Sequence, residues 1–296
     1  MAVHGQEAVS SITQSRLFRN PVAPGVPSVD ANGSALPEDV TASDAGDDSF
    51  GAQIILKKQE RLRKFSVFAD VSASYTDNVD LAPHGGRSDS FLTAKVGAGW
   101  RPILTREFVG EISLSSSVVR HDRAREVDFE TFGGGGGVSW LVPHSPGIIL
   151  FARYDFLEVL DVSSRELLQD HAFTLGAQKT LVFGRSHFLS TGINGVAGIS
   201  TPRSQQRHQA AIQVAYHLQI TRSFDADLLY RYAGQFYAED DRLDRNQTLL
   251  LAMGVMPNRW LRLGASISVA RNDSNEAAFE YDVLNFGGGL HAEISF

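Results

Sequence analysis

The chain has 296 residues, of which 43% are hydrophobic, so it can form one large domain or two ordinary ones. It contains no cysteine, which excludes a disulfide framework, a cysteine-ligated zinc site and a thiol nucleophile. The net charge of -7 argues against nucleic acid as a partner. The sequence has no apolar run of the ~18 residues that a membrane-spanning helix needs. A membrane barrel stays open, because barrel strands alternate in polarity and average to neutral hydropathy.

The N-terminal region reads as an extension without a packed core. Residues 1–50 contain breaking prolines and many acidic residues, which predicts a disordered extension, either a solvated tail or a periplasmic tether. Residues 51–64 carry clustered lysine and arginine beside a few aliphatic residues, which predicts a short cationic helix or a linker. The first residues show neither the basic nor the apolar region of a signal peptide. An exported protein would therefore have lost its signal, or its start is misplaced.

Alternation of apolar and polar residues begins at Phe65. In Phe65–Thr76 every second residue is apolar and the interleaved positions are mostly polar, and the pattern recurs in 91–100 and 108–118. This period of two is the signature of β-strands whose faces meet two different surroundings. Charges near the middle of the polar face, at Asp70, Lys95 and Glu111, indicate that this face is wet or internally paired.

The connections between these stretches are of two kinds. Tight turns are predicted at 101–106, 143–147, 183–186, 221–223 and 257–260, and longer polar loops at 80–88, 122–126, 161–166, 201–206, 238–244 and 272–278. Short turns on one side and long loops on the other are typical of outer-membrane barrels. The pattern predicts an all-β fold, an up-and-down antiparallel transmembrane β-barrel of about 12 strands over residues 65–296.

Two stretches carry a resemblance to known families. The last strand alternates up to the terminal Phe296 and resembles the C-terminal sorting strand of bacterial outer-membrane proteins, which implies the barrel-assembly machinery and outer-membrane lipid as partners. The stretch Tyr75–Thr76–Asp77–Asn78–Val79 resembles the strand that opens the barrel in families of uncharacterised bacterial β-barrel porins. The resemblance implies an outer-membrane location and this architecture, more than any activity.

Aromatic residues provide a second indication of a membrane barrel. Trp100, Trp140, Trp260 and Phe296 lie beside predicted short turns or at the terminus, whereas tyrosines such as Tyr75 lie toward the long loops. Membrane barrels place aromatic girdles at both lipid–water boundaries. We therefore predict these four residues to form an interface girdle.

Motifs for catalysis or metal binding are weak. No His-x-Ser pair of the kind that a barrel phospholipase would need occurs, and Asp170–His171 stands alone near a long loop. The run Gly133–Gly137 lacks the Lys-Ser/Thr and the following helix of a phosphate-binding loop, so a bend or close approach of another segment is favoured. We predict no catalytic site, no metal site and no cofactor.

Carrying the alternation from strand to strand predicts the inner face of the barrel. The predicted pore-lining residues are Asp70, Lys95, Glu111, Arg153, Asp155, His217, Arg231, His291 and Glu293. Both signs of charge are present, rather than the ladder of basic residues expected in a strongly anion-selective porin. A barrel of this size allows either a narrow pore or a packed interior.

Two functions follow from this interpretation. The first is a narrow passive pore for small hydrophilic solutes in the bacterial outer membrane. The second is a non-conducting structural barrel that binds a partner through its periplasmic N-terminal segment. A barrel hydrolase and a soluble all-β protein are less favoured alternatives.

Overall fold

A computed structural model describes residues 64–145, 147–183, 186–239 and 241–296. The predicted disordered extension, and the predicted cationic helix or linker apart from Lys64, lie outside these residues. The strands are β1 Phe65–Thr76, β2 Asp89–Trp100, β3 Phe108–His121, β4 Phe129–Leu141, β5 Ile148–Asp161, β6 Glu166–Phe183, β7 His187–Thr201, β8 Arg207–Gln219, β9 Phe224–Tyr237, β10 Leu243–Asn258, β11 Leu261–Ser274 and β12 Tyr281–Ser295. Within this part of the chain, no helix is long and apolar enough to span a lipid bilayer.

The strands form one closed barrel in sequence order. Every strand pairs antiparallel with its neighbours along the chain, and β12 returns to pair with β1. This last pairing brings Val67 opposite Ile294 and Asp70 opposite His291. The structure confirms the predicted up-and-down antiparallel barrel of about 12 strands.

The outer surface of the barrel is a continuous apolar belt. Outward side chains such as Val96, Leu175 and Ile193 are 58%, 67% and 60% exposed. On β1 the outward positions run from Phe65 to Tyr75, about 33 Å at ~3.3 Å per residue, or roughly 25 Å at a ~40° tilt. A soluble β-protein would turn this face toward a core, whereas a barrel in a bilayer turns it toward lipid.

The two ends of the barrel differ. One end, which we call the short-turn end, carries the connections 101–107, 142–147, 184–186, 220–223 and 259–260, as well as Lys64 and Phe296. The other, the long-loop end, carries 77–88, 122–128, 162–165, 202–206, 238–242 and 275–280. The two sets lie at opposite ends as predicted, but the difference in length is small except for the loop 77–88. The strands extend further into the predicted long loops than the polarity of those segments suggests.

Inward apolar side chains narrow the interior at the long-loop end. One cluster lies on β2 to β6 and contains Phe91, Val119, Phe129, Val159 and Leu168. A second cluster joins Leu81, from the loop 77–88, to Tyr281 and Val283 of β12 and to Ala270 of β11. The loop therefore folds inward at this end, because burial of Leu81 against β11 and β12 removes apolar surface from water.

A charged contact outside the membrane-spanning strands joins the first two loops of this end. Arg87 pairs with Asp80 at 2.7 Å and with Glu126 at 2.6 Å. The hydrogen bond from Arg87 lowers the pKa of Asp80 below its usual range. The pKa of Glu126 is also lowered, first by its own backbone N–H and then by Arg87. The loops 77–88 and 122–128 are thus held together most firmly where both carboxyl groups are ionised.

Candidate functional site: the lumen

The candidate site is the lumen, which is lined by one side of every strand. On β1 the buried or half-buried set is Ser66, Phe68, Asp70, Ser72, Ser74 and Thr76, while the interleaved residues are mostly exposed. The same alternation runs through β2 and β3. Because successive side chains of a strand point to opposite faces, the buried set faces inward.

A row of charged and ionisable residues crosses four adjacent strands. Lys95 of β2 lies opposite Asp70 of β1, Asp70 lies opposite His291 of β12, and His291 lies opposite Arg262 of β11. The Nδ1 atom of His291 is 2.5 Å from the Asp70 carboxylate, and its Nε2 atom is 3.4 Å from Glu293. The imidazole therefore lies between two carboxylates on the inner wall.

Arg262 extends this row across a strand that carries a glycine. Its guanidinium pairs with Asp225 of β9, although β10 runs between β9 and β11. Gly254 of β10 lies opposite Asp225, and a Cβ at this glycine would come within 2.2 Å of the Arg262 guanidinium. The absence of a side chain at Gly254 therefore lets the arginine lie along the wall. The carboxylate of Asp227 is 3.8 Å from Arg262, and it also lies within hydrogen-bonding distance of His217 Nδ1, at 2.7 Å.

The glycine run of β4 makes the same arrangement on the other side of the barrel. Glu111 of β3, Gly137 of β4 and Arg153 of β5 lie in one row across three strands. Arg153 reaches over β4 to Glu111 at 3.0 Å, and its Nε donates to Asp155 at 2.7 Å. A Cβ at Gly135 would lie 2.2 Å from the Asp155 carboxylate and 3.0 Å from Arg153 Nη2. The run therefore makes room for large inward side chains of β5.

Together these residues form what we call the inner charged belt, nearer the short-turn end than the long-loop end. Its members are Asp70, Lys95, Glu111, Arg153, Asp155, His217, Asp225, Asp227, Arg262, His291 and Glu293. Polar or small residues follow on the inner face toward mid-barrel, among them Ser72, Thr93, Ser113, Ser115 and Gly133. The lumen thus has a charged section, a section of small side chains and an apolar section at the long-loop end, and Ile149 and Phe151 of β5 form a smaller apolar cluster beside the charged section.

The structure brings most of the predicted pore-lining residues into this belt. Arg231 is the exception, because it lies opposite Gln213 and Thr248, farther toward the long-loop end. Asp225, Asp227 and Arg262 complete the belt and were not among the predicted residues. The alternation of β11, which puts Arg262 on the face of Gly264 and Ser266, carries the signal that would have found it. That these residues line an open pore stays a prediction.

The predicted girdle residues lie at the short-turn end. Trp260 and Phe296 are 50% and 67% exposed, Trp100 is exposed, and Trp140 is half-buried. Phe65 stacks between Trp100 at 5.9 Å and Phe296 at 6.3 Å, measured between ring centroids. These rings form an outward aromatic band, and its position at a lipid–water boundary stays a prediction.

Metal binding finds little support in the geometry. Among the residues that the structure describes, no group of three or more His, Asp or Glu side chains is arranged to hold a metal ion. Each histidine of the belt is instead within hydrogen-bonding distance of a carboxylate. The arrangement can therefore polarise the lumen and bind water or ions loosely.

Comparisons with known proteins agree with the fold. No family model matches the chain, and no curated protein is similar to it in sequence. Among solved structures, an outer membrane channel from Pseudomonas putida F1 superposes with a TM-score of 0.54 at 8% identity, over 78% of this chain and 96% of that chain. A bacterial polysaccharide outer membrane secretin gives 0.49 at 11% identity, over 78% of this chain and 98% of that chain. The β domain of the Bordetella autotransporter BrkA gives 0.49 at 9% identity, over 79% and 100%.

The likeness to the Pseudomonas putida channel shows the class of fold to which the chain belongs. The chain has the fold of the bacterial outer-membrane β-barrels, which confirms at the level of fold the resemblance seen in its first and last strands.

Proposed function

We propose that the protein is an outer-membrane β-barrel that forms a narrow passive pore for small hydrophilic solutes. The observation that carries the proposal is the section of small polar side chains at mid-barrel. Ser113, Ser115 and Thr131 face inward yet remain only half-buried. Inward side chains of this size leave room for water in a barrel wider than the side-chain-filled eight-stranded type.

The charged belt supports a hydrated path at the short-turn end. Asp155 and Glu293 keep 37% and 39% of their side chains exposed although they face inward. Burying these carboxylates without water would cost several kcal/mol each, on the order expected for ions in a dry interior. Solutes would diffuse past the belt and the small residues, and the apolar clusters at the long-loop end would form the constriction.

That constriction also favours a second candidate, a non-conducting structural barrel. Val119 and Phe129 are 0% and 1% exposed inside the long-loop end, and Leu81 of the loop 77–88 is 2% exposed. If these clusters close the lumen, the barrel serves as an anchor and residues 1–64 provide the partner-binding part.

Conductance of the full-length refolded protein in a planar lipid bilayer separates the two candidates. A matched pair of variants on β3 locates the path, because Ser115 faces inward and Ser116 faces outward. We expect discrete channels, a lower conductance for Ser115→Trp and an unchanged conductance for Ser116→Trp. Absence of channels in protein whose heat-modifiable gel mobility proves a folded barrel would refute the pore and favour the structural barrel.

A further inference from the structure

The charges of the inner belt do not balance. Its carboxylates are Asp70, Glu111, Asp155, Asp225, Asp227 and Glu293, and its permanent cations are Lys95, Arg153 and Arg262. With six carboxylates and three permanent cations, the belt carries a net charge of -3 when His217 and His291 are neutral.

Both arginines are held by carboxylates against the wall. Arg153 contacts Glu111 at 3.0 Å and Asp155 at 2.7 Å, so one cation faces two anions. Arg262 pairs with Asp225 and lies 3.8 Å from the Asp227 carboxylate, so here too one cation faces two anions. The two neighbouring carboxylates therefore more than neutralise the positive charge of each arginine.

Gly254 and Gly135 allow the two arginines to lie against the wall. A side chain at Gly254 would occupy the position of the Arg262 guanidinium, and a side chain at Gly135 would occupy that of the Asp155 carboxylate. Without these glycines the charged groups of β5 and β11 would have to turn away from the wall, toward the axis of the barrel. Bare glycines on β4 and β10 thus keep the arginines out of the path and close to their carboxylates.

Among the remaining members of the belt, Glu293 adds a negative charge that is partly exposed to the lumen. His291 lies between Asp70 and Glu293, and the Glu293 side chain is 39% exposed. The ammonium of Lys95 is 5.9 Å from the centre of the Phe68 ring, and Lys95 lies opposite Asp70. The cation is therefore also close to the wall, where an aromatic face and a carboxylate attract it.

We infer that the lumen favours cations over anions and that its inner charged belt sets this preference. The inference rests on the proposed pore. A wall of low dielectric constant concentrates the field of fixed charges in the lumen, which raises the local concentration of counter-ions. The three permanent cations of the belt offset only half of its six carboxylates, so a net attraction for cations remains.

The test is the reversal potential of single channels of the full-length protein across a potassium chloride gradient. We expect potassium to be favoured over chloride by a factor of about 3–10, since three net charges act within about one Debye length of a permeating ion. Glu293→Gln and Glu293→Lys should lower the ratio stepwise, by about twofold for each unit of charge.

Asp282 provides a matched control on the same strand. Its side chain is exposed on the outer face of β12 near the long-loop end, so Asp282→Asn changes the same charge outside the lumen and should leave the ratio unaltered. Circular dichroism and heat-modifiable gel mobility confirm that each variant forms the barrel.

Three outcomes would count against the inference. A wild-type ratio at or below one would overturn it while leaving the pore intact, and so would a ratio that Glu293→Lys does not change. Silence of the wild-type protein under all conditions would refute the proposed pore and, with it, the inference.

Discussion

Replacement of Gly254 by alanine tests whether a missing side chain holds the charged belt together. The added Cβ would lie 2.2 Å from two atoms of the Arg262 guanidinium and 2.4 Å from its Nε. All of these atoms belong to the far end of a flexible side chain, so the backbone can stay in place while the arginine moves. Asp225, which is 1% exposed, would then lose its principal partner.

The magnitude follows from that lost contact. Leaving one member of a buried ion pair without its partner typically costs about 3–5 kcal/mol. Asp227 keeps the arginine nearby, and replacing a strand glycine by alanine recovers roughly 0.5–1 kcal/mol of backbone entropy. We therefore expect Gly254→Ala to lower the free energy of unfolding by about 2–4 kcal/mol. This is the cost of losing the ion pair, reduced by the nearby Asp227 and by the gain in backbone entropy.

The assay is a double-mutant cycle measured by urea unfolding in lipid vesicles, followed by tryptophan fluorescence. In an Arg262→Met background no guanidinium remains to be displaced, so Gly254→Ala should cost little. Gly99→Ala is the control, because a Cβ there meets only Ser66 Oγ at 3.3 Å and a backbone oxygen at 3.9 Å. If Gly254→Ala costs the same in both backgrounds, within about 0.5 kcal/mol, the reasoning fails.

Two further predictions concern the outer surface and the loops. Ile193→Arg places a charge on the outward face of β7 near mid-strand and should lower the free energy of unfolding in lipid by about 2–4 kcal/mol. The control Asn194→Arg directs the same charge into the lumen and should cost less. Equal costs for the two variants would contradict a lipid-facing belt. The loop 77–88 should lose protection from hydrogen exchange below about pH 4. The pKa of Asp80 is lowered in the folded protein, so the stability that this carboxylate contributes is present above the ordinary carboxyl pKa and is lost as the pH falls through the pKa of the folded state. Arg87→Gln should remove this pH dependence, and a loop whose protection is unchanged down to pH 2 would contradict it.

The strand pattern was predictable because lipid and lumen impose opposite demands on alternate residues. Each strand therefore repeats the same signal, so the inward face carried over from one strand can be checked against the polarity of the next. The inward positions of Asp70, Arg153 and Glu293 followed from this rule alone.

Contacts between strands were harder to predict. Nothing in the local sequence of β11 shows that Arg262 passes over β10 to reach β9, because this depends on the register that places Gly254 opposite Asp225. The inward fold of the loop 77–88 was missed for a similar reason. Leu81 lies in a mostly polar segment, and its burial depends on β11 and β12, which lie about 190 residues further along the chain.

The pairing of β1 with β12 has a consequence for how the site is assembled. Every other strand pair joins neighbours along the chain, and closing the short connection between them costs little conformational entropy. Asp70 and His291, in contrast, are separated by 221 residues. The contact between them crosses the seam of the barrel, as do the backbone hydrogen bonds between Phe65 and Phe296. The inner charged belt is therefore complete only once the first and last strands have met, so a chain arrested before closure carries neither a sealed wall nor a finished lining.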